Sequence, residues 1–302
     1  VTKLATALSL GLALAAGAAG VEELVADANI AYRNGRLERA EELYNQALAA
    51  EPQNVAAING LGLVAMARGD YETALDRLLP LVGEFQNDAN FLYSLGSIYK
   101  ALGDYPNAID VFSRALELTP DDPPLLSGMV ESLLQEGRID EALPLSADLV
   151  ELDQRNADYL YLHGMANRLS DNHVNARRYL ESVLQYEPGY ELAFDPLFET
   201  YLVLEDYAAA LEHAQHWVEV VPGDGWAWRA LGMAHYKNAD FAGAFEAAQL
   251  MLELGRVDNQ LLKVVSHWLR ATDRGGEARR LWERAVELQP YNMVAQGELG
   301  GD

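Results

Sequence analysis

The sequence predicts an all-α chain built as a solenoid of stacked helix pairs, and three observations carry that prediction. Alanine recurs at one interval, at Ala40, Ala74, Ala108, Ala142, Ala176, Ala210, Ala244 and Ala278, each 34 residues after the last. Large apolar residues keep a fixed phase to these alanines at helical spacing. Glycine and proline stand at two other phases, where they would end helices. A strict period of this length means stacked copies of one supersecondary unit rather than a single globular core.

In chain order, residues 1–20 precede the repeat and contain one charge, Lys3. A basic start, an apolar stretch from Leu4 to about Ala16 and the small residues Ala16-Gly17-Ala18 match a secretory signal cleaved near Ala18. The apolar run is short and alanine-rich for a membrane span. An uncleaved anchor and an apolar capping segment are the alternative readings. A cleaved signal places the mature chain in a bacterial periplasm or outside the cell. An anchor holds it on a membrane, and a leader that is no signal leaves it in the cytoplasm.

Placing the alanine at position 20 starts the first repeat at Val21 and ends the eighth at Asn292, one continuous array without a linker. Positions 4, 7, 8 and 11 share one face of a first helix. Position 4 holds Leu24, Ile58, Leu92, Leu126, Leu160, Phe194, Trp228 and Leu262, and position 8 is glycine in Gly62, Gly96, Gly164 and Gly232. Glycine at position 15 (Gly35, Gly69, Gly103, Gly137) turns the chain. Units 5 to 8 carry Asp171, Glu205, Ala239 and Asp273 there, so their turns are expected to differ. Positions 20, 24 and 27 then face inward on a second helix, with Tyr44, Phe112 and Trp282 among the residues at 24. The small residue at position 8 is expected to meet the alanine at 20. Proline at position 32 closes the unit in Pro52, Pro120, Pro188, Pro222 and Pro290. Pro106 is well placed at a helix start, whereas Pro80 is expected to kink its helix. Residues 293–302 read as a stub covering unit 8 or as a truncated ninth repeat, with Leu299 and Gly300 at positions 7 and 8.

This pattern, W-x-x-L-G-x-x-Y…A-x-x-x-F…P on a 34-residue period over residues 21–292, resembles the tetratricopeptide repeat. The resemblance implies helix pairs wound into a right-handed superhelix whose first helices line a concave groove. It also implies a non-enzymatic scaffold for a protein or peptide partner. For an exported bacterial member, the settings it suggests are envelope assembly, secretion or polysaccharide export, with a cytoplasmic adaptor or regulator as the alternative.

Composition narrows the partners. Acidic residues number 46 against 22 basic, a net charge of −24. Such a chain repels nucleic acid and anionic membrane surfaces, which leaves an uncleaved leader as the one route to a membrane. The charge reads first as solubility of a helical surface. There is no cysteine, hence no disulfide and no thiolate metal site. No catalytic motif stands out, and no cofactor or catalytic residue is expected. His213 and His216 lie three apart beside Glu212 and Glu219, but no fourth metal ligand is evident. His163 and His235 fall at core positions.

Positions 2, 5, 9 and 12 point away from the packing face, and the resemblance places them on the concave surface. They bring Tyr93 in unit 3, Tyr161 and Met165 in unit 5, and Leu192, Asp195, Glu199 and Leu202 in unit 6. Unit 7 adds Trp226, Arg229, Met233 and Tyr236, with Lys237 following, and unit 8 adds Lys263, His267 and Arg270. Exposed aromatics and methionines suit an amphipathic or extended peptide. The cationic residues of units 7 and 8 have no acid among them, which points to an acidic segment or a C-terminal carboxylate as ligand. Pairing with acids of neighbouring helices is the alternative. A glycan stacked on Trp226, Tyr161 and Tyr93 is a further reading, which Trp228, facing the core, does not join. The lysine–asparagine carboxylate clamp of some family members is not supplied by any three successive units.

Overall fold

Most helices in this chain start where an Asp or Asn side chain is available to hold their first N–H groups. A computed structural model describes residues 20–300. The expected signal, with its cleavage near Ala18, and residues 301–302 lie outside the described residues. Among the described residues every regular element is helical.

The helix pairs follow the 34-residue register. They are α1 (20–33) with α2 (Leu37–Ala50), α3 (Val55–Ala67) with α4 (Tyr71–Leu78), α5 (Ala89–Ala101) with α6 (Tyr105–Leu118), and α7 (Pro123–Gln135) with α8 (Ile139–Leu152). Then come α9 (Ala157–Leu169) with α10 (His173–Tyr186), α11 (Phe194–Val203) with α12 (Tyr207–Val220), α13 (Gly225–Lys237) with α14 (Phe241–Glu253), and α15 (Asn259–Ala271) with α16 (Gly275–Leu288). A last helix, α17 (Met293–Gly300), packs on α16 and buries Ala295. The chain divides within α8 into two compact units, one ending at Leu149 and one beginning at Val150. The unbroken sequence register crosses that point without a mark. In each unit, second helices pack on the first helix of the next pair, as α6 does on α7 and α12 on α13.

Capping gives some of the acidic residues a structural role. At position 34, Asn54, Asp88, Asp122, Asn156, Asp224, Asp258 and Asn292 each accept a backbone N–H of the following first helix. At position 16, Asp70, Asp104, Asn172, Asp206 and Asp240 do the same for second helices. A carboxylate there satisfies an orphan donor and meets the positive end of the helix dipole. Arg138 and Arg274 occupy position 16 in units 4 and 8. Each instead forms a two-pronged ion pair with a glutamate three residues on, Glu141 and Glu277.

Three sequence expectations are corrected. The turns do not differ: position 15 is left-handed in all eight repeats, with φ of 69–77° at the four glycines and 56–62° at Asp171, Glu205, Ala239 and Asp273. The turn is imposed by the helices it joins, so four side chains accept a conformation that favours glycine. The glycine at position 8 faces position 24 in Gly62, Gly96 and Gly164, and Leu261 with Ala247 in Gly232, rather than the alanine at 20. A Cβ on Gly62 would sit 2.5 Å from Leu78, and one on Gly96 2.7 Å from Phe112. The Phe112 ring is closed in from the other side by Gly128, whose Cβ would lie 2.6 Å from it. Pro80 ends α4 rather than kinking it. Lacking an N–H and crowding the Asp76 carbonyl, it converts residues Leu79–Leu81 to a 3-10 turn. Pro106 sits in the first turn of α6, where a missing N–H costs nothing.

Candidate functional site

In the unit beginning at Val150 the sixth repeat departs from the others at its first helix, and a recess forms there. Position 34 of the fifth repeat is Tyr190, which supplies no cap. Its hydroxyl donates instead to Asp158 Oδ1 at 2.6 Å, and its ring tilts against Tyr161, 5.5 Å between centres. Six residues on, Pro196 cannot donate to the Leu192 carbonyl, which takes one hydrogen bond from any α-helix running through residues 192–196. Residues Glu191–Ala193 form a 3-10 turn and α11 starts only at Phe194.

The late start leaves a recess of about 400 Å³. Its apolar lining is Trp217 of α12, Val221 just past the end of that helix, Leu192, Pro196 and Trp226. Leu192 is 63% exposed and Trp226 43%. Three carboxylates, Glu191, Asp195 and Asp224, stand round it. Burial, and then the neighbouring Glu199, hold the Asp195 carboxyl above its ordinary value, against the pull of Arg229 and Arg168. Among the described residues no three such groups converge on a point that could hold a metal ion.

Trp226 is fixed from behind. The α14 helix ends at Glu253, Gly255 turns the chain at φ 78°, and Arg256 takes the position that proline fills in other units. Its guanidinium lies 3.9 Å from the Trp226 ring centre. Gly225 permits the approach, since a Cβ there would stand 2.7 Å from Arg256 Cβ.

The sequence-selected residues separate into distinct environments. Trp226 and Arg229 come together, 5.7 Å from guanidinium to ring centre. The cationic set is not free of acids, which corrects that expectation. Arg229 is only 16% exposed, with Nε 2.8 Å from Asp258 and Nη1 3.2 Å from Glu199. Arg270 pairs with Glu298 on α17 at 3.0 Å. These acids lie 28 to 30 residues away in sequence, on adjoining elements that one helix's pattern does not reveal. Met233 is a second correction. It is 3% exposed, because α13 is packed by α11, α12, α14 and α15 and has little outward surface. Lys237 lies 5.3 Å from the Tyr207 ring centre, and Tyr236 packs edge-on against Phe241. Lys263 and His267 are exposed, Tyr161 and Met165 half-buried. Tyr93 belongs to the other compact unit, exposed above Phe112. His213 is buried with Nε2 2.8 Å from the Phe194 carbonyl, which engages that ring nitrogen. Sequence reasoning placed Leu192 and Asp195 on this face but missed Arg256 and the recess itself. The available signal was the missing Asx at 190 followed by a proline at 196.

Two sequence profiles described as tetratricopeptide repeat match residues 25–80, 60–123 and 99–166. Cellulose synthase 1 operon protein C of Komagataeibacter xylinus is 27% identical over 190 residues, covering 61% of this chain and 14% of that protein. A solved tetratricopeptide repeat protein from Parabacteroides merdae superposes with a TM-score of 0.61 at 16% identity, over 82% of this chain and 98% of that one. YrrB, described as a tetratricopeptide repeat protein with an unusual peptide-binding site, gives 0.52 at 26% identity, over 59% and 95%. The chain spans 19%, 31% and 50% of the length of three further curated relatives.

Proposed function

The chain is a tetratricopeptide repeat protein, an all-α fold that typically serves as a non-catalytic protein-binding scaffold, and on that premise we propose that it holds a peptide segment of a partner protein on the first-helix face of its Val150-onward unit. The observation that carries this reading is Leu192 and Trp226, two large apolar side chains left exposed in the lining of one recess. Apolar surface gathered in a concave place marks a binding site more often than scattered exposure does. Arg256 and the doubly paired Arg229 hold the Trp226 region in place before any ligand arrives, which reduces the ordering cost of binding. The peptide-binding site ascribed to YrrB supports the same reading.

Photocrosslinking tests it. With p-benzoylphenylalanine in place of Leu192, adducts to a partner are expected in the producing cells. With the same group in place of Glu246, exposed on α14, none are expected. Adducts at 246 without adducts at 192 would overturn the assignment of this face.

The setting we propose is the bacterial envelope, in assembly, secretion or polysaccharide export. The signal-like pattern of residues 1–20 and the kinship to a cellulose synthase operon protein support it. N-terminal sequencing after fractionation should find a mature chain starting near Ala19, and an intact leader in the cytosol would refute export. A glycan in the recess is the second reading, favoured by the exposed Trp226 and the same relative. Arg256 already covers part of the Trp226 ring, so the peptide reading is preferred. Quenching of tryptophan emission by cello-oligosaccharides, lost in Trp226→Phe, would reverse that preference.

A further inference from the structure

We infer that the recess beside Trp226 receives a large apolar side chain of the partner whose neighbours in sequence are lysine or arginine. This rests on the peptide-binding reading and names the chemistry of the segment bound.

Shape accounts for the apolar half. The apolar lining is Trp217, Val221, Leu192, Pro196 and Trp226, and about 400 Å³ suits one bulky side chain with part of its backbone. Burying Leu192 and the open part of Trp226 under such a group removes the apolar surface of both from water at once.

Charge accounts for the basic half. Around the recess the carboxylates are Glu191, Asp195, Asp224, Glu199 and Asp258, and the guanidiniums are Arg168, Arg229 and Arg256. The balance is two negative charges in excess. Two of the three cations are already engaged, Arg229 between Glu199 and Asp258 and Arg256 over the Trp226 ring, and the third, Arg168, is half-buried. Among the described residues Glu191 has no ion-pair partner. The potential at the mouth therefore attracts a cation and repels an acidic segment. The carboxylates do not converge as metal ligands would, so the cation they suit is carried on a flexible side chain.

Panning a random dodecapeptide phage library on the immobilised chain tests this. Clones are retested on Leu192→Ser and on the Glu191→Lys/Asp195→Lys double variant. The substituted side chains lie at the rim, so circular dichroism and melting should match the parent. Recess-dependent clones, those losing about tenfold or more in affinity on Leu192→Ser, are expected to carry an aromatic or long aliphatic residue flanked by Lys or Arg. Their binding should weaken with salt and be lost on the double variant. Recess-dependent clones rich in Asp or Glu, or indifferent to the double variant, would overturn the inference while leaving peptide binding intact. If no clone depends on Leu192 although the Leu192 crosslink forms, the inference also falls. If the crosslink fails as well, the binding face itself is misplaced.

Discussion

Gly225 and Arg256 are in contact that no other residue at position 225 would allow, since a Cβ on the first would fall 2.7 Å from the Cβ of the second. The approach lets the Arg256 guanidinium settle over Trp226. Gly225→Ala should therefore lower stability by about 1–2 kcal/mol through overpacking at the start of α13. Gly223, two residues earlier, has open space around its Cβ position. Gly223→Ala should stay within about 0.5 kcal/mol of the parent. Urea denaturation of the two variants decides the matter, and equal midpoints would show that the contact relaxes freely.

The left-handed turns at position 15 provide a second test. Ala239 is held at φ 61° and Glu205 at 56°, where a Cβ costs roughly 1–2 kcal/mol. Ala239→Gly and Glu205→Gly should raise stability, by less than about 1 kcal/mol because glycine also loosens the unfolded chain. Gly103→Ala, at φ 76°, should lower it by about 1 kcal/mol. Thermal melts that move all three variants the same way would contradict a shared turn geometry.

Ala108 and Ala101 separate core from surface within one repeat. Ala108 is fully buried and Ala101 exposed. Ala108→Leu should cost about 1–3 kcal/mol, since added carbons have no room between α5 and α6. Ala101→Leu should be nearly neutral, and equal melting temperatures would invalidate the register.

Burial pulls the His213 imidazole down to about 4, below an ordinary value near 6.5. Between those values the unfolded chain binds a proton that the folded chain refuses, so stability rises with pH across the interval. The contribution is complete above pH 6.5 and lost as pH falls toward 4, about 3 kcal/mol in all. His213→Gln keeps a donor for the Phe194 carbonyl but does not titrate. Its melting temperature should fall less steeply than the parent's from pH 6.5 to 4; parallel curves would clear His213 of the effect.

How much the amino-acid order disclosed depends on how local the cause was. Helix pairs, the proline stop after α6 and the buried alanines follow from spacing along one or two turns. The caps stood in plain view at Asp104 or Asp258 but were hidden among many other acids. The pairs Arg229–Glu199 and Arg270–Glu298 join residues on different helices, 30 and 28 residues apart, so a scan of each helix face found cations and no counterions. Met233 was misjudged because a repeat's consensus face assumes equal packing of every first helix, and α13 is enclosed on more sides than that. Asp171 and Glu205 disguised a turn whose geometry is set by the helices beside it rather than by its own residue type.

The late start of α11 has a consequence for how sites arise in periodic proteins. A perfect array is like a one-dimensional crystal: every position is equivalent, and no place on it can be singled out by a ligand. Tyr190 and Pro196 act as a point defect in that lattice, costing one repeat its first turn and distinguishing one address from seven others. An address of that kind travels with a short stretch of chain. Grafting residues 190–196 into the equivalent place of another repeat should move the late helix start with them, its lining then set by the new neighbours, whereas restoring an Asx cap and removing the proline should erase the recess here.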